Sequence, residues 1–157
     1  VILITGTGQY AEIRRRLPED TDQVKVYDFV SDGMIDMLGA ADVVVARAGA
    51  TTILELAALA KPTILVPNGF LTGGHQIKNA KVYEDKGAVK VIDEMQMEKT
   101  PQLLVDEIKN LIDDPAEARQ MGQAFLSFAH PGAAKDMADM ILDAANSRRT
   151  NPDSSAK

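Results

Sequence analysis

The chain has 157 residues, 45% of them hydrophobic, and a net charge of −6. That is enough apolar content for one domain with a full core, on a surface that disfavours nucleic acid and anionic membrane as partners. With no cysteine, disulfides, thiolate catalysis and zinc–thiolate sites are excluded, and no apolar run approaches the ~20 residues that span a bilayer.

Val1–Thr5 is a continuous apolar run and reads as a strand buried on both faces. A domain that opens inside such a strand, with no methionine before it, is expected to be part of a longer protein. Gly6-Thr7-Gly8 is a turn and Tyr10–Leu17 a helix. A polar loop leads to a second strand, Val24–Phe29, and a short helix, Gly33–Gly39. Asp42–Ala46 is the third strand and Thr51–Leu59 a helix that ends before Lys61-Pro62. Thr63–Pro67 is the fourth strand, Gln76–Lys86 a helix stopped by Gly87, and Ala88–Ile92 the fifth strand. Three helices follow, Thr100–Ile112, Pro115–Phe128 and Ala133–Asn146, and then a polar tail expected to be disordered from about residue 148. Strands that alternate with helices and lack polar alternation imply an α/β fold with a parallel sheet covered on both faces. Ligands of such sheets bind at the carboxyl ends of the strands.

The loops at those ends therefore carry the functional reading. In "TGTGQY", two glycines let a backbone approach a ligand, but Ala11 stands where a third glycine would complete a dinucleotide fingerprint. A tight strand-to-helix turn explains the loop as well. In "YDFVSDGM", Asp32-Gly33 makes a turn, and a plain connection is the default. The third loop is denser. Ala48, Gly49 and Ala50 are all small, then Thr51, Thr52 and Glu55 follow on the first turns of a helix. Thr52-x-x-Glu55 matches a capping box, which accounts for those two residues alone. Small residues before a helix expose its first amides, where the macrodipole favours an anion. A carboxylate beside a phosphate suits a ribose diol, as in dinucleotide folds. From these residues alone the capped helix and the nucleotide site stand level. After the fourth strand, Gly73-Gly74 reads as a mobile lead-in. His75, Gln76 and Asn79 then begin a helix, with amides suited to sugar hydroxyls or simply to water. With only His130 as a second histidine, a metal role for His75 is poor.

Taken together, "ADVVVARAGATTILELAALAKPTILVP", "HQIKNA" and "KGAVKVIDE" resemble the C-terminal, donor-binding domain of the MurG-type UDP-N-acetylglucosamine transferases. The resemblance covers most of the chain from Val1 to about Ala145. It implies a Rossmann-like parallel sheet flanked by helices, the C-terminal half of a GT-B glycosyltransferase, with residues 1–147 as a donor-binding domain lacking its first strand and Gly-rich loop. It implies a donor site in which Val30 meets uracil through its backbone. Ala50, Thr51 and Thr52 offer amides and hydroxyls to the diphosphate, and Glu55 takes the ribose hydroxyls. Gln76 and Asn79 bind the sugar.

The implied reaction is inverting transfer of N-acetylglucosamine from a UDP-sugar donor to the lipid-linked muramyl-pentapeptide of peptidoglycan synthesis. No cofactor is implied, and without a DxD-like pair no metal is expected. The resemblance places the acceptor site, the membrane patch and the catalytic base in a missing N-terminal domain, so no residue of this chain is assigned a catalytic role and the isolated chain is expected to be inactive. The whole enzyme would be cytoplasmic, peripheral at the inner face of the plasma membrane, with no direct membrane insertion by this domain. Two rivals remain open. One is the donor chain of a split or related GT-B transferase acting on a polysaccharide or glycolipid. The other is a non-catalytic nucleotide-binding module.

Overall fold

The structure is a computed structural model that describes residues 1–18, 22–68 and 75–150, with His75 and 147–150 described by backbone alone. Residues 69–74, including the Gly73-Gly74 lead-in, and the tail from 151 lie outside the described residues. The chain forms two compact units, Val1–Ala41 and Asp42–Lys157.

In the first unit, β1 (Ile2–Ile4) pairs in parallel with β2 (Lys25–Tyr27), and α1 (Tyr10–Arg16) makes the crossover. Gly6 turns the chain out of β1 at φ 75°, a backbone that only glycine adopts at low cost. After β2, Gly33 at φ 82° precedes α2 (Met34–Ala40). The expected burial of β1 on both faces is not observed. Ile2, Leu3 and Ile4 are between a third and a half exposed.

The second unit holds the core. Its parallel sheet has the order β3 (Val44–Ala46), β4 (Thr63–Leu65), β5 (Lys90–Val91). β4 is central and wholly buried, which explains its unbroken Thr-Ile-Leu run. Between β3 and β4 lies α3 (Ala50–Ala58), and α4 (His75–Glu84) connects β4 to β5. Four helices follow where the sequence predicts three: α5 (Glu94–Lys99), α6 (Gln102–Asp113), α7 (Pro115–Leu126) and α8 (Ala133–Thr150). The additional one is α5.

Ile64 of β4, Leu111 of α6 and Met121 of α7 form the centre of the core, with Val43, Ile92, Leu104 and Ile108 around them. Tyr83 of α4 meets Phe125 and Phe128 edge-on, at centroid distances of 5.6 and 4.8 Å. On β5, Lys90 Nζ lies 2.7 Å from Glu117 and 3.4 Å from Glu107, tying the strand to α7 and α6. The hydrogen bond to Glu117, supported by the two carboxylate charges and opposed by partial burial, raises the Lys90 pKa above the usual lysine value. A raised ammonium pKa means that the stability it contributes is complete at neutral pH and is lost only as pH climbs through the folded-state value.

Candidate functional site

The carboxyl ends of β3 and β4 carry the residues that the sequence singles out in this unit. Ala48 is fully buried, so a larger residue there would collide with the core beneath the turn. Gly49 is the N-cap of α3, at φ −74° and ψ 136°, and no side chain caps the helix. This corrects the capping-box expectation. A box needs its hydroxyl at the N-cap, whereas Thr52 stands three residues inside the helix and Glu55 another turn on. The first helical bond runs from the Ile53 N–H to the Gly49 carbonyl at 2.9 Å. The amides of Ala50, Thr51 and Thr52 are thus the ones with no partner inside the helix. Ala50 and Thr51 are exposed, Thr52 is half-buried and Glu55 is exposed. Among the described residues Glu55 makes no ion pair, and its backbone carbonyl accepts from Leu59. The buried face of α3 is Ile53, Leu56 and Ala57, which turns the Thr51 and Glu55 side towards solvent.

The other end of α3 is fixed as firmly. Ala60 takes a left-handed φ of 51°. Its N–H bonds the Ala57 carbonyl at 3.0 Å, and the Lys61 N–H reaches the Leu56 carbonyl at 3.1 Å. Those two bonds complete a helix end that usually has glycine at the left-handed position. The turn lies against Gly122 of α7.

Beyond β4, the Gln76 Oε1 accepts a 2.8 Å hydrogen bond from the Asn68 N–H. Gln76 is half-buried, and among the described residues its amide NH2 group has no hydrogen-bond partner. Asn79, also half-buried, follows at i+3 on the same side of α4. The structure thus brings Ala50, Thr51, Thr52 and Glu55 together on α3 and Gln76 with Asn79 on α4, at the ends of adjacent strands. Val30 belongs to the first unit, where it follows β2, half-buried, beside a Phe29 that is 68% exposed.

Sequence reasoning passed over Arg47. Directly after β3, its Nη1 donates to the Val66 carbonyl at 3.2 Å and its Nη2 lies 2.5 Å from Glu94 Oε1 at the start of α5. One guanidinium therefore crosses the ends of three strands. The sequence signal for it is an arginine two residues before a helix N-cap at a strand's carboxyl end. Among the described residues no group of three His, Asp or Glu could hold a metal ion, and no helix is long and apolar enough to cross a membrane.

Comparison with known proteins gives a concordant result. The chain is 38% identical over 141 residues to a UDP-N-acetylglucosamine–N-acetylmuramyl-(pentapeptide) pyrophosphoryl-undecaprenol N-acetylglucosamine transferase of Solibacter usitatus, covering 90% of this chain and 37% of the relative. The protein of the same name from Limosilactobacillus fermentum is 36% identical, over 92% of this chain and 39% of its own length. The chain thus spans about two fifths of these relatives. Among solved structures, Acinetobacter baumannii MurG superimposes with a TM-score of 0.78 at 26% identity, over 90% of this chain and 40% of that one. The glycosyltransferase VinC, solved in complex with dTDP, follows at a TM-score of 0.60 and 25% identity, over 82% of this chain and 30% of its own. The fold is the expected Rossmann-like α/β arrangement of GT-B glycosyltransferases. A profile of the glycosyltransferase family 28 C-terminal domain matches residues 1–137, and the chain belongs to that family.

Proposed function

We propose that this chain is the donor-binding part of an inverting N-acetylglucosamine transferase that uses UDP-N-acetylglucosamine and a lipid-linked muramyl-pentapeptide acceptor. The observation that carries the reading is the start of α3: three amides with no helical partner, no side-chain cap, small residues around them, and an exposed carboxylate one turn deeper. The relatives' names supply the reaction class, and the dTDP in VinC shows that a neighbour of the same fold takes a nucleoside diphosphate.

In this reading the diphosphate rests on the amides and hydroxyls of Ala50, Thr51 and Thr52, where partial positive charge favours an anion. Glu55 accepts from the ribose hydroxyls, Val30 meets the uracil through its backbone, and Gln76 and Asn79 take the sugar. As the acceptor hydroxyl attacks the anomeric carbon, negative charge grows on the departing diphosphate. The helix-terminal amides are already aimed at that charge and stabilise it without reorganising. Residues 1–147 form this donor domain. The acceptor and the general base come from the rest of a longer protein, peripheral at the inner face of the plasma membrane, and the chain alone transfers no sugar.

Titration of the chain with UDP, UDP-N-acetylglucosamine and UDP-glucose, followed by NMR, tests the reading. Millimolar UDP should shift the amides of Thr51, Thr52 and Glu55; unmoved amides would overturn the site. Glu55→Gln should weaken UDP by about 1–2 kcal/mol, through loss of charge-assisted bonds to ribose, with an unchanged melting temperature because Glu55 caps nothing. A lower melting temperature with UDP binding intact would instead return Glu55 to a structural role.

Sugar choice offers a sharper contrast. Because Gln76 Oε1 is already held by the Asn68 amide, the side chain is fixed with its NH2 group left to donate. Gln76→Glu keeps the acceptor for Asn68 but removes that donor. In the full-length enzyme it should narrow the ratio of kcat/KM between the gluco and galacto donors, since an unpaired sugar hydroxyl is worth about 1–3 kcal/mol. UDP itself should bind as before. An unchanged ratio would place epimer choice elsewhere.

A further inference from the structure

Arg47 and Glu94 form an unusual pair. Glu94 is the first residue of α5, its side chain only 12% exposed against 52% for Arg47. One carboxylate oxygen holds Arg47 Nη2 at 2.5 Å, while the other is buried and, among the described residues, has no hydrogen-bond partner. A buried carboxylate with one oxygen unsatisfied is poorly suited to stabilising the fold, since an apolar residue of similar size would serve as well or better. What the carboxylate does is hold the guanidinium.

The place in which it is held matters. Arg47 also donates to the Val66 carbonyl. Two residues on, the Asn68 amide donates to Gln76. On the other side, Arg47 precedes the N-cap Gly49 by two residues. The guanidinium thus sits at the strand ends from which the chain runs on to the residues proposed for the diphosphate and to those proposed for the sugar. Its charge is fixed by two partners on one flank, with half of its surface open.

We propose that Glu94 is a positioning residue. It fixes the Arg47 guanidinium across the ends of β3, β4 and β5 so that the open side of Arg47 faces the sugar-bearing phosphate of the donor. This rests on the donor-site reading above and adds to it a residue from α5, an element outside the loops considered for that site. Arg47 touches the phosphate; Glu94 acts through Arg47. A planar guanidinium held at fixed angle meets phosphate with two parallel bonds, and a free one must first be ordered.

The experiment compares UDP with uridine, which shares base and ribose but lacks the phosphates, by calorimetry on the 157-residue chain. Glu94→Ala should weaken UDP about tenfold and leave uridine within twofold. Glu94→Gln, which retains an oxygen acceptor for Nη2, should recover most of the loss. Arg47→Met should weaken UDP at least as much, and adding Glu94→Ala to it should change nothing further. Should Glu94→Ala fail to fold, Glu94→Asp, one methylene short of Arg47, should give the same selective loss of UDP. Wild-type UDP binding that survives loss of Glu94, or an equal loss of UDP and uridine, would overturn the positioning role while leaving the donor site standing. Failure of the wild-type chain to bind UDP would overturn both.

Discussion

A Gly49→Asp variant is expected to melt higher than the parent chain and to lose UDP. Gly49 has an ordinary extended backbone, φ −74° and ψ 136°, so a side chain adds no backbone strain there. A Cβ built on it meets nothing closer than the Thr52 hydroxyl at 4.0 Å. Aspartate is among the best N-cap residues, and its carboxylate would bond the open amides of Thr51 or Thr52. Together with the macrodipole, the gain is about 0.5–1 kcal/mol, or ~1–4 °C in melting temperature for a chain of this size. Those amides are the ones proposed for the diphosphate. An intramolecular carboxylate would occupy them and repel a second anion within a few ångströms. Loss of one or two charge-assisted bonds plus that repulsion amounts to about 3–5 kcal/mol, roughly a hundredfold to a few thousandfold in affinity. Stability and binding should therefore move in opposite directions, which few substitutions achieve. A variant that melts higher and still binds UDP as the parent does would place the phosphate away from α3. A variant that melts lower would mean that the turn needs glycine for a reason of packing.

The two capping patterns show how much of this was legible in the sequence. Thr52-x-x-Glu55 matches the capping-box pattern, yet both residues lie inside α3, because the chain turns helical earlier, after Gly49. Periodicity places a helix well and its first residue badly, since the two or three residues before the apolar stripe carry no periodic signal. The same pattern was present and unread at Asp93-x-x-Gln96. There the Asp93 carboxylate does accept from the Gln96 N–H, at 2.9 Å, and starts α5. At six residues, α5 is too short to show periodicity of its own, so only its cap could have revealed it. Glu94, the partner of Arg47, stands directly after that cap. The alternation of strands and helices, by contrast, was fully readable. A parallel strand such as Thr63–Leu65 is buried on both faces, so Ile64 and Leu65 stand side by side and the one hydroxyl, on Thr63, is satisfied by the Lys61 carbonyl.

Gly122→Ala should be the most damaging glycine-to-alanine change among the described residues. Gly122 is buried in the middle of α7, where glycine is otherwise a poor helix residue by about 1 kcal/mol relative to alanine. Its reason lies across the interface. An ideal Cβ at 122 would stand 2.2 Å from the Ala60 carbonyl oxygen and 3.1 Å from its carbon. Those are backbone atoms, so no rotamer change relieves the overlap. They belong to the left-handed residue that closes α3, held by the bonds from Ala60 and Lys61 back into the helix. Either α7 withdraws from α3, opening the core around Phe125 and Met121, or the end of α3 unwinds. Overpacking against a backbone of this kind costs about 3 kcal/mol or more, which corresponds to roughly 6–12 °C in melting temperature. The helix-propensity gain from glycine to alanine is far too small to offset it. Because α3 carries at its opposite end the amides proposed for the phosphate, UDP affinity should fall along with stability. A second substitution separates the clash from strain at Ala60 itself. Ala60→Gly removes the left-handed penalty, about 1–2 kcal/mol, but leaves the carbonyl in place. Alone it should stabilise the chain, and it should not rescue Gly122→Ala. The measurement is thermal unfolding of the two single variants and the double. A Gly122→Ala chain that melts within 2 °C of the parent, or a full rescue by Ala60→Gly, would show that α7 does not clamp the end of α3 through that carbonyl.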